Sequence, residues 1–229
     1  MLQRWRRQAG AVSIIIPVVL AGAGCKPNGA APTSGGGGDS PASASGSKLP
    51  IGNPDAPMPS PGTCKVGSRN GQPLPDPDCT PGAINPDVKQ SNVDQTICKV
   101  GWTKTIRPPS SRTNVMKAKS ARSYSLGRDV AGEYDHLVPL ELGGAPDDPR
   151  NLWVEPGKIP NSKDAVEHKL NDAVCSGLVT LVKAQRAIAA RWVTAYDDVG
   201  LQVSGGKVCL RDNPTKCAKG RHGGSSTGN

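Results

Sequence analysis

The chain has no phenylalanine, and its four Trp and three Tyr are the only aromatic residues among 229. Any core must therefore come from Leu, Val, Ile, Ala and the tryptophans. No C-x-x-C pair occurs among the seven cysteines, which excludes a structural zinc site of the usual spacing. No internal repeat is present, so a solenoid is excluded. The apolar run from Ala9 to Ala23 is too short to span a bilayer comfortably as a mature helix.

What is present at the start reads as an export signal over residues 1–24. Arg4, Arg6 and Arg7 precede the apolar run, and small residues follow it up to Cys25. The end of this segment resembles a bacterial lipoprotein cleavage site, which implies a lipid on Cys25 and a membrane anchor in the cell envelope. Ordinary cleavage after Ala23 is the alternative and would give a secreted protein. Residues 25–62 are rich in Gly, Pro, Ser and Ala, with too little apolar side chain to offset ordering entropy, and read as a disordered tether. Residues 63–219 form one domain's worth of chain, and residues 220–229 a disordered tail.

Six cysteines remain besides Cys25: Cys64, Cys79, Cys98, Cys175, Cys209 and Cys217. An even number at scattered spacings in an exported chain implies disulfides. The expected pairs are Cys64–Cys79, Cys98–Cys175 and Cys209–Cys217, one of about fifteen connectivities open to six cysteines. The formal charge is +9, and removing the three arginines of the first 24 residues, which hold no acid, leaves +6. A basic balance favours polyanionic partners, nucleic acid or anionic membrane.

The pattern implies an α+β fold whose first half is mostly loop, tied by disulfides. Short strands are expected at residues 133–139 and 151–154. A helix is expected over 162–176, with Val166, Leu170 and Val174 on one face, and another over 178–196 carrying Leu181, Ile188 and Trp192. Trp153 and Trp192 fit core positions.

The informative stretch runs Glu133-Tyr134-Asp135-His136-Leu137-Val138-Pro139-Leu140-Glu141-Leu142-Gly143-Gly144, then Asn151-Leu152-Trp153-Val154, then Pro160-Asn161-Ser162-Lys163. It gives a strand ending in an acid–imidazole pair, a Gly-Gly loop, a strand opened by Asn, and a helix opened by Asn, a favoured capping residue. Asp-His followed by Pro-Leu, Leu-Gly-Gly, Asn-Leu and Asn-x-Lys resembles the HNH endonuclease family in its Asp-His/Asn/Asn form. The likeness extends over roughly residues 79–196. It implies a ββα-metal finger with additional helices, and a phosphodiester hydrolase that leaves 5′-phosphate and 3′-hydroxyl ends.

Chemistry agrees with the implied roles. An imidazole titrates near neutral pH, so His136 suits a general base. Asp135 and Asn161 offer hard oxygens for one divalent metal, Mg²⁺ or Mn²⁺. Asn151 would tie the loop that holds His136, and Lys163 would contact a phosphate. Taken singly, an Asp-His turn, a Gly-Gly pair or an Asn cap is more often structural, and only their order and framing point to a nuclease. One difficulty stands: adjacent residues on an ideal strand face opposite sides, so Asp135 and His136 share a site only if the strand ends there.

From Lys99 to Arg128 the chain holds Lys99, Lys104, Arg107, Arg112, Lys117, Lys119, Arg122 and Arg128 and no acid. The seven from Lys104 onward are expected to contact phosphates without reading sequence, and a solvated surface is the bland alternative. His168 is expected at the surface and His222 in the tail without a role; Glu133 and Glu141 are expected as surface acids, with a place behind the metal ligands as the alternative. The function implied is a metal-dependent endonuclease of low sequence specificity, acting on DNA outside the cytoplasm. Two rivals stand beside it. One is a catalytically silent lipoprotein binding nucleic acid or an envelope polymer on the same scaffold. The other is a small disulfide-rich envelope protein with no nuclease ancestry.

Overall fold

In the computed structural model the described residues are 48–220, except Arg128. Cys25, Arg128 and His222, and with them the expected lipid-attachment residue and most of the expected tail, lie outside that set. The folded chain begins ahead of the expected boundary at residue 63. Ile51 bridges Ile84, and the Gly52 amide donates to the Ile84 carbonyl at 2.8 Å. The Asn53 amide donates to Asp148 Oδ2 at 2.7 Å, Arg150 donates to the Ile51 carbonyl at 2.9 Å, and Ser123 Oγ donates to the Pro59 carbonyl at 2.6 Å. Composition missed this because the segment is held by its backbone groups rather than by apolar side chains.

Two short strands, β1 (Gly67–Arg69) and β2 (Gln72–Leu74), pair antiparallel across Asn70-Gly71. Both turn residues have positive φ, 52° and 74°, the requirement of a tight hairpin that Asn-Gly meets at least cost. Cys64–Cys79 closes the base of this hairpin. A 3₁₀ segment (Gln90–Gln95) and α1 (Trp102–Ile106) follow, then α2 (Ser110–Ser123) after Pro108-Pro109. A helix of 14 residues corrects the expectation of a mostly looped first half. Its buried side is Met116, Ser120, Ala121 and Ser123, so small and hydroxyl residues replace the Leu/Val stripe that would have marked it. Ser120 Oγ accepts from the Val154 amide at 3.2 Å, which docks α2 against the sheet.

Strand β3 (Gly132–His136) pairs antiparallel with β4 (Leu152–Pro156), with Glu133 opposite Glu155 and His136 opposite Leu152. Helix α3 (Lys163–Cys175) matches the expected helix within a residue at each end. It ends where Gly177 adopts φ 68°, the Leu178 amide bonding the Ala173 carbonyl and the Gly177 amide that of Val174. That left-handed cap separates α3 from α4 (Leu181–Arg191). The expected helix to residue 196 is broken: Arg191 is extended, a 3₁₀ turn (Trp192–Thr194) follows, then α5 (Ala195–Asp198). The buried Trp192 indole donates to the Pro73 carbonyl at 3.0 Å, and seating it takes the chain off the helix axis. A last hairpin, β5 (Leu201–Ser204) with β6 (Lys207–Leu210), turns at Gly205-Gly206.

The main core gathers Leu142, Leu170, Val174, Leu181, Ile188, Trp192, Leu201 and Val208, so the expected apolar faces of α3 and α4 are buried. A smaller cluster packs Cys64–Cys79 against Tyr124 and Trp153, whose rings lie 5.5 Å apart. All three expected disulfides form, Cys98–Cys175 closing the longest loop at a separation of 77 and Cys209–Cys217 the shortest. The long loop alone constrains the unfolded chain by about 4 kcal/mol in the chain-entropy model. This disulfide set fits an exported, mixed α+β protein. Among the described residues no helix is long and apolar enough to cross a membrane.

Candidate active site

Asn151 is the keystone of the loop between β3 and β4. Its Oδ1 accepts from the amides of Val138 (2.9 Å) and Ala83 (3.2 Å), and its Nδ2 donates to the carbonyls of Val138 (2.9 Å) and Ala145 (3.0 Å). Every lone pair and proton of the buried carboxamide is used. Gly144 permits this: a Cβ there would lie 1.7 Å from the Val138 carbonyl oxygen and 2.9 Å from Asn151 Nδ2. The loop-tying place expected for Asn151 is the one it occupies.

The loop so held presents the Pro146 carbonyl to His136. Nε2 of His136 lies 2.8 Å from that oxygen, which can only accept, so Nε2 carries the proton and Nδ1 keeps its lone pair. Burial lowers the imidazole pKa from 6.5 to about 4, with Arg107 and Lys163 pushing the same way; the Pro146 bond and Asp135 oppose them without prevailing. His136 is therefore a neutral base throughout the neutral range. The strand ends at His136: the Leu137 amide makes one more in-register bond to the Asn151 carbonyl, the Val138 amide goes to the Asn151 side chain instead, and the chain then turns at Pro139. Both Asp135 and His136 thus line one cavity of about 500 Å³.

Lys163 corrects the expectation of a phosphate contact. It is 0 % exposed, at the start of α3, and its ammonium donates to Asp135 Oδ2 (2.7 Å), the His136 carbonyl (2.7 Å) and Glu167 Oε1. Three protons meet three acceptors, so nothing remains for a substrate. Burial pulls the lysine pKa down, but the carboxylates of Asp135, Glu167 and Glu155 outweigh it and hold the ammonium charged. Asn161 is committed too. Its Oδ1 accepts from the amides of Lys163 (2.8 Å) and Asp164 (3.2 Å), capping α3, while Nδ2 donates to Glu133. The carboxamide expected to hold a metal therefore acts as a helix cap.

Acids the sequence did not single out surround Lys163. Glu133 has a pKa raised to about 7 by burial and by Asp135 and Asp164, against Lys163 and the Asn161 bond. Glu155, 3 % exposed and opposite Glu133 in the sheet, is raised to about 8, first by burial and then by Asp135. Its Oε2 finds no hydrogen-bond partner among the described residues, nor does the Tyr134 hydroxyl. Asp164 and Glu167 are raised chiefly by burial. One ammonium thus faces five carboxyl groups, a surplus of acid that burial keeps from full ionisation: Glu133, Glu155, Asp164 and Glu167 are all pushed toward the neutral form. Among the described residues no three His, Cys, Asp or Glu side chains come together as a ready-made metal centre. Glu133 was expected at the surface, and its i−2 spacing from Asp135 on a strand was the signal for a shared face.

Positive charge lines the same cavity: Arg107 and Lys117 are both part of it, and Lys117 Nζ donates to the Gly132 carbonyl, next to Glu133, at 3.0 Å. Arg112 points elsewhere, pairing with Asp147 at 3.2 Å and donating to the Pro54 carbonyl. Lys104, Lys119 and Arg122 are exposed and are not part of the cavity lining. Of the six expected phosphate contacts among the described residues, two therefore line the cavity. His168, on α3, pairs with Glu141 at 3.2 Å, a bond that raises its pKa. Comparison with family models, with curated proteins and with solved structures returns no match, so the chemistry of this site rests on its own geometry.

Proposed function

We propose that this chain is an exported HNH-type endonuclease, its ββα finger formed by β3, β4 and α3, hydrolysing phosphodiester bonds of nucleic acid, with DNA the expected substrate. The observation that carries the proposal is the 2.8 Å contact of His136 Nε2 with the Pro146 carbonyl, which orients a neutral imidazole, in a loop tied by Asn151, on a cavity lined by both acids and bases. In this scheme Nδ1 of His136 takes the proton of the attacking water, and Arg107 and Lys117 offset charge on the phosphate. A divalent cation, Mg²⁺ or Mn²⁺, suits this surplus of acid, with Asp135 and Glu133 as the carboxylates to hold it. Asn161 would join them only by releasing the α3 amides. Bound there, the cation would supply Lewis-acid neutralisation at the phosphate and the leaving oxygen. Cys25 is the proposed lipid-attachment residue, which would place the enzyme on the cell envelope.

One observation favours a second reading. Asp135 and Asn161, the two oxygens the family pattern assigns to metal, are both engaged inside the protein. That suits a silent scaffold which binds nucleic acid without cutting it. Plasmid nicking by the mature chain in Mg²⁺, Mn²⁺ or EDTA, beside His136→Ala, separates the two. The enzyme nicks with metal, and the variant loses at least about 100-fold in rate. Plasmid binding without cutting in every metal would leave the scaffold.

A further inference from the structure

Helix α2 puts one polar stripe into the cavity. Ser110, Thr113, Asn114 and Lys117 all line it, at the i, i+3, i+4, i+7 spacing of a single helix face. Arg107, just ahead of the helix, lines the same side. The stripe is neutral or positive and α2 contains no acid; Ser110, Asn114 and Lys117 carry donors, and Thr113 Oγ1, which donates to the Ser110 carbonyl at a long 3.4 Å, becomes a fourth by turning from it. No side chain caps its N-terminus, so the positive end of the helix dipole is uncompensated beside the cavity. The acids that line the cavity come from β3 (Glu133, Asp135), the Leu140–Leu142 turn (Glu141) and α3 (Asp164, Glu167), so α2 with Arg107 meets a phosphodiester chain with no carboxylate of its own.

We propose that this stripe, with Arg107, is the cradle for the sugar–phosphate backbone of one substrate strand. The proposal rests on the nuclease reading and names the side of the site on which the strand lies. A cavity of about 500 Å³ is of small-molecule size, room for a nucleotide or two rather than a duplex. Hydroxyl and carboxamide donors grip phosphate and sugar oxygens and read no base, so recognition is independent of sequence. Most of the basic residues of this region lie off the cavity, so the electrostatic footprint at the site is small. Arg107 and Lys117 carry it, and Ser110, Thr113 and Asn114 add contacts that salt does not screen away.

The test is binding of a short labelled single-stranded oligodeoxynucleotide by fluorescence anisotropy in EDTA, across a salt series, with thermal unfolding as a check on folding. Thr113→Val with Asn114→Ala is expected to raise Kd about 10-fold while leaving the slope of log K against log salt unchanged. Arg107→Met or Lys117→Met is expected to flatten that slope by about 0.7 each, the release expected per single-strand phosphate contact. Lys119→Met with Arg122→Met is expected to change neither. Unaltered binding by the Thr113/Asn114 variant, or slope loss from the Lys119/Arg122 pair equal to that from Arg107, overturns the cradle. Should Lys117→Met fail to fold, Lys117→Arg with retained slope serves in its place, and a lost slope counts against the cradle. Nuclease failure looks different: wild type that binds through α2 yet nicks no plasmid refutes the enzyme and keeps the cradle. Wild type that nicks while indifferent to α2 does the reverse.

Discussion

Replacing Lys163 by Met removes the only cation among the buried carboxyl groups of the site while keeping much of the side-chain volume. Three acceptors lose their donor at once: Asp135 Oδ2, the His136 carbonyl and Glu167. Breaking a buried ion pair by deleting one partner costs about 3–5 kcal/mol, because the other charge is left without compensation. For a domain of this size that is a fall in Tm of roughly 6–20 °C. The cost depends on pH, and its sign follows from the acids. Glu133 and Glu155, with folded pKa values of about 7 and about 8, bind protons in the folded state before the unfolded chain does. Their contribution to stability grows as pH falls from about 8 toward about 5, and protonated carboxyls have less need of the ammonium. Thermal unfolding followed by circular dichroism at both pH values should show Lys163→Met losing most at the higher one. Adding Glu167→Leu should recover part of the loss, since one of the stranded carboxylates goes. A single variant within about 1 kcal/mol of wild type at both pH values would refute the account of Lys163 as the counter-charge of the site.

Two further outcomes follow from the loop that holds His136. Asn151→Ala strands four buried backbone groups and should lower unfolding free energy by at least about 3 kcal/mol in denaturant titrations; a loss under about 1 kcal/mol contradicts its role as the tie. His136 has a folded pKa depressed to about 4 against 6.5 unfolded, so the unfolded chain takes up the proton first as pH falls. Wild type should then lose about 2–3 kcal/mol relative to His136→Gln between about pH 7 and about pH 4.5, and equal pH profiles for the two proteins would show that the imidazole is not held neutral.

The parts of the molecule readable from the chain are those written in local order. Asp135-His136, Gly143-Gly144 and Asn151 lie within a short stretch whose spacing carries the loop, and the apolar periodicity of Val166, Leu170 and Val174 carries α3. The disulfides followed from export and from an even cysteine count, with two of the three pairs closing short loops. What was not legible depends on tertiary partners. Helix α2 buries Ser120, Ala121 and Ser123, which raise no hydrophobic signal. Lys163 looks like any first-turn lysine until α3 lays it under β3. Glu155 looks like a surface strand residue until the fold buries it near Lys163. Asn161 was read for its oxygen, and the start of α3 claims that oxygen for two amides.

The Asp148–Arg150 pair gives the residues just inside the folded chain a metric role. Asp148, fully buried, holds the Asn53 amide and the Arg150 guanidinium, and Arg150 reaches the Ile51 carbonyl. One residue further on, the Pro54 carbonyl accepts a hydrogen bond from Arg112 of α2, which also pairs with Asp147. Four consecutive residues thus bridge the loop that orients His136 and helix α2. They act as a spacer bar between the two. A proteolytic nick or a one-residue deletion inside 51–54 would shift one against the other without changing the identity of any side chain that lines the cavity.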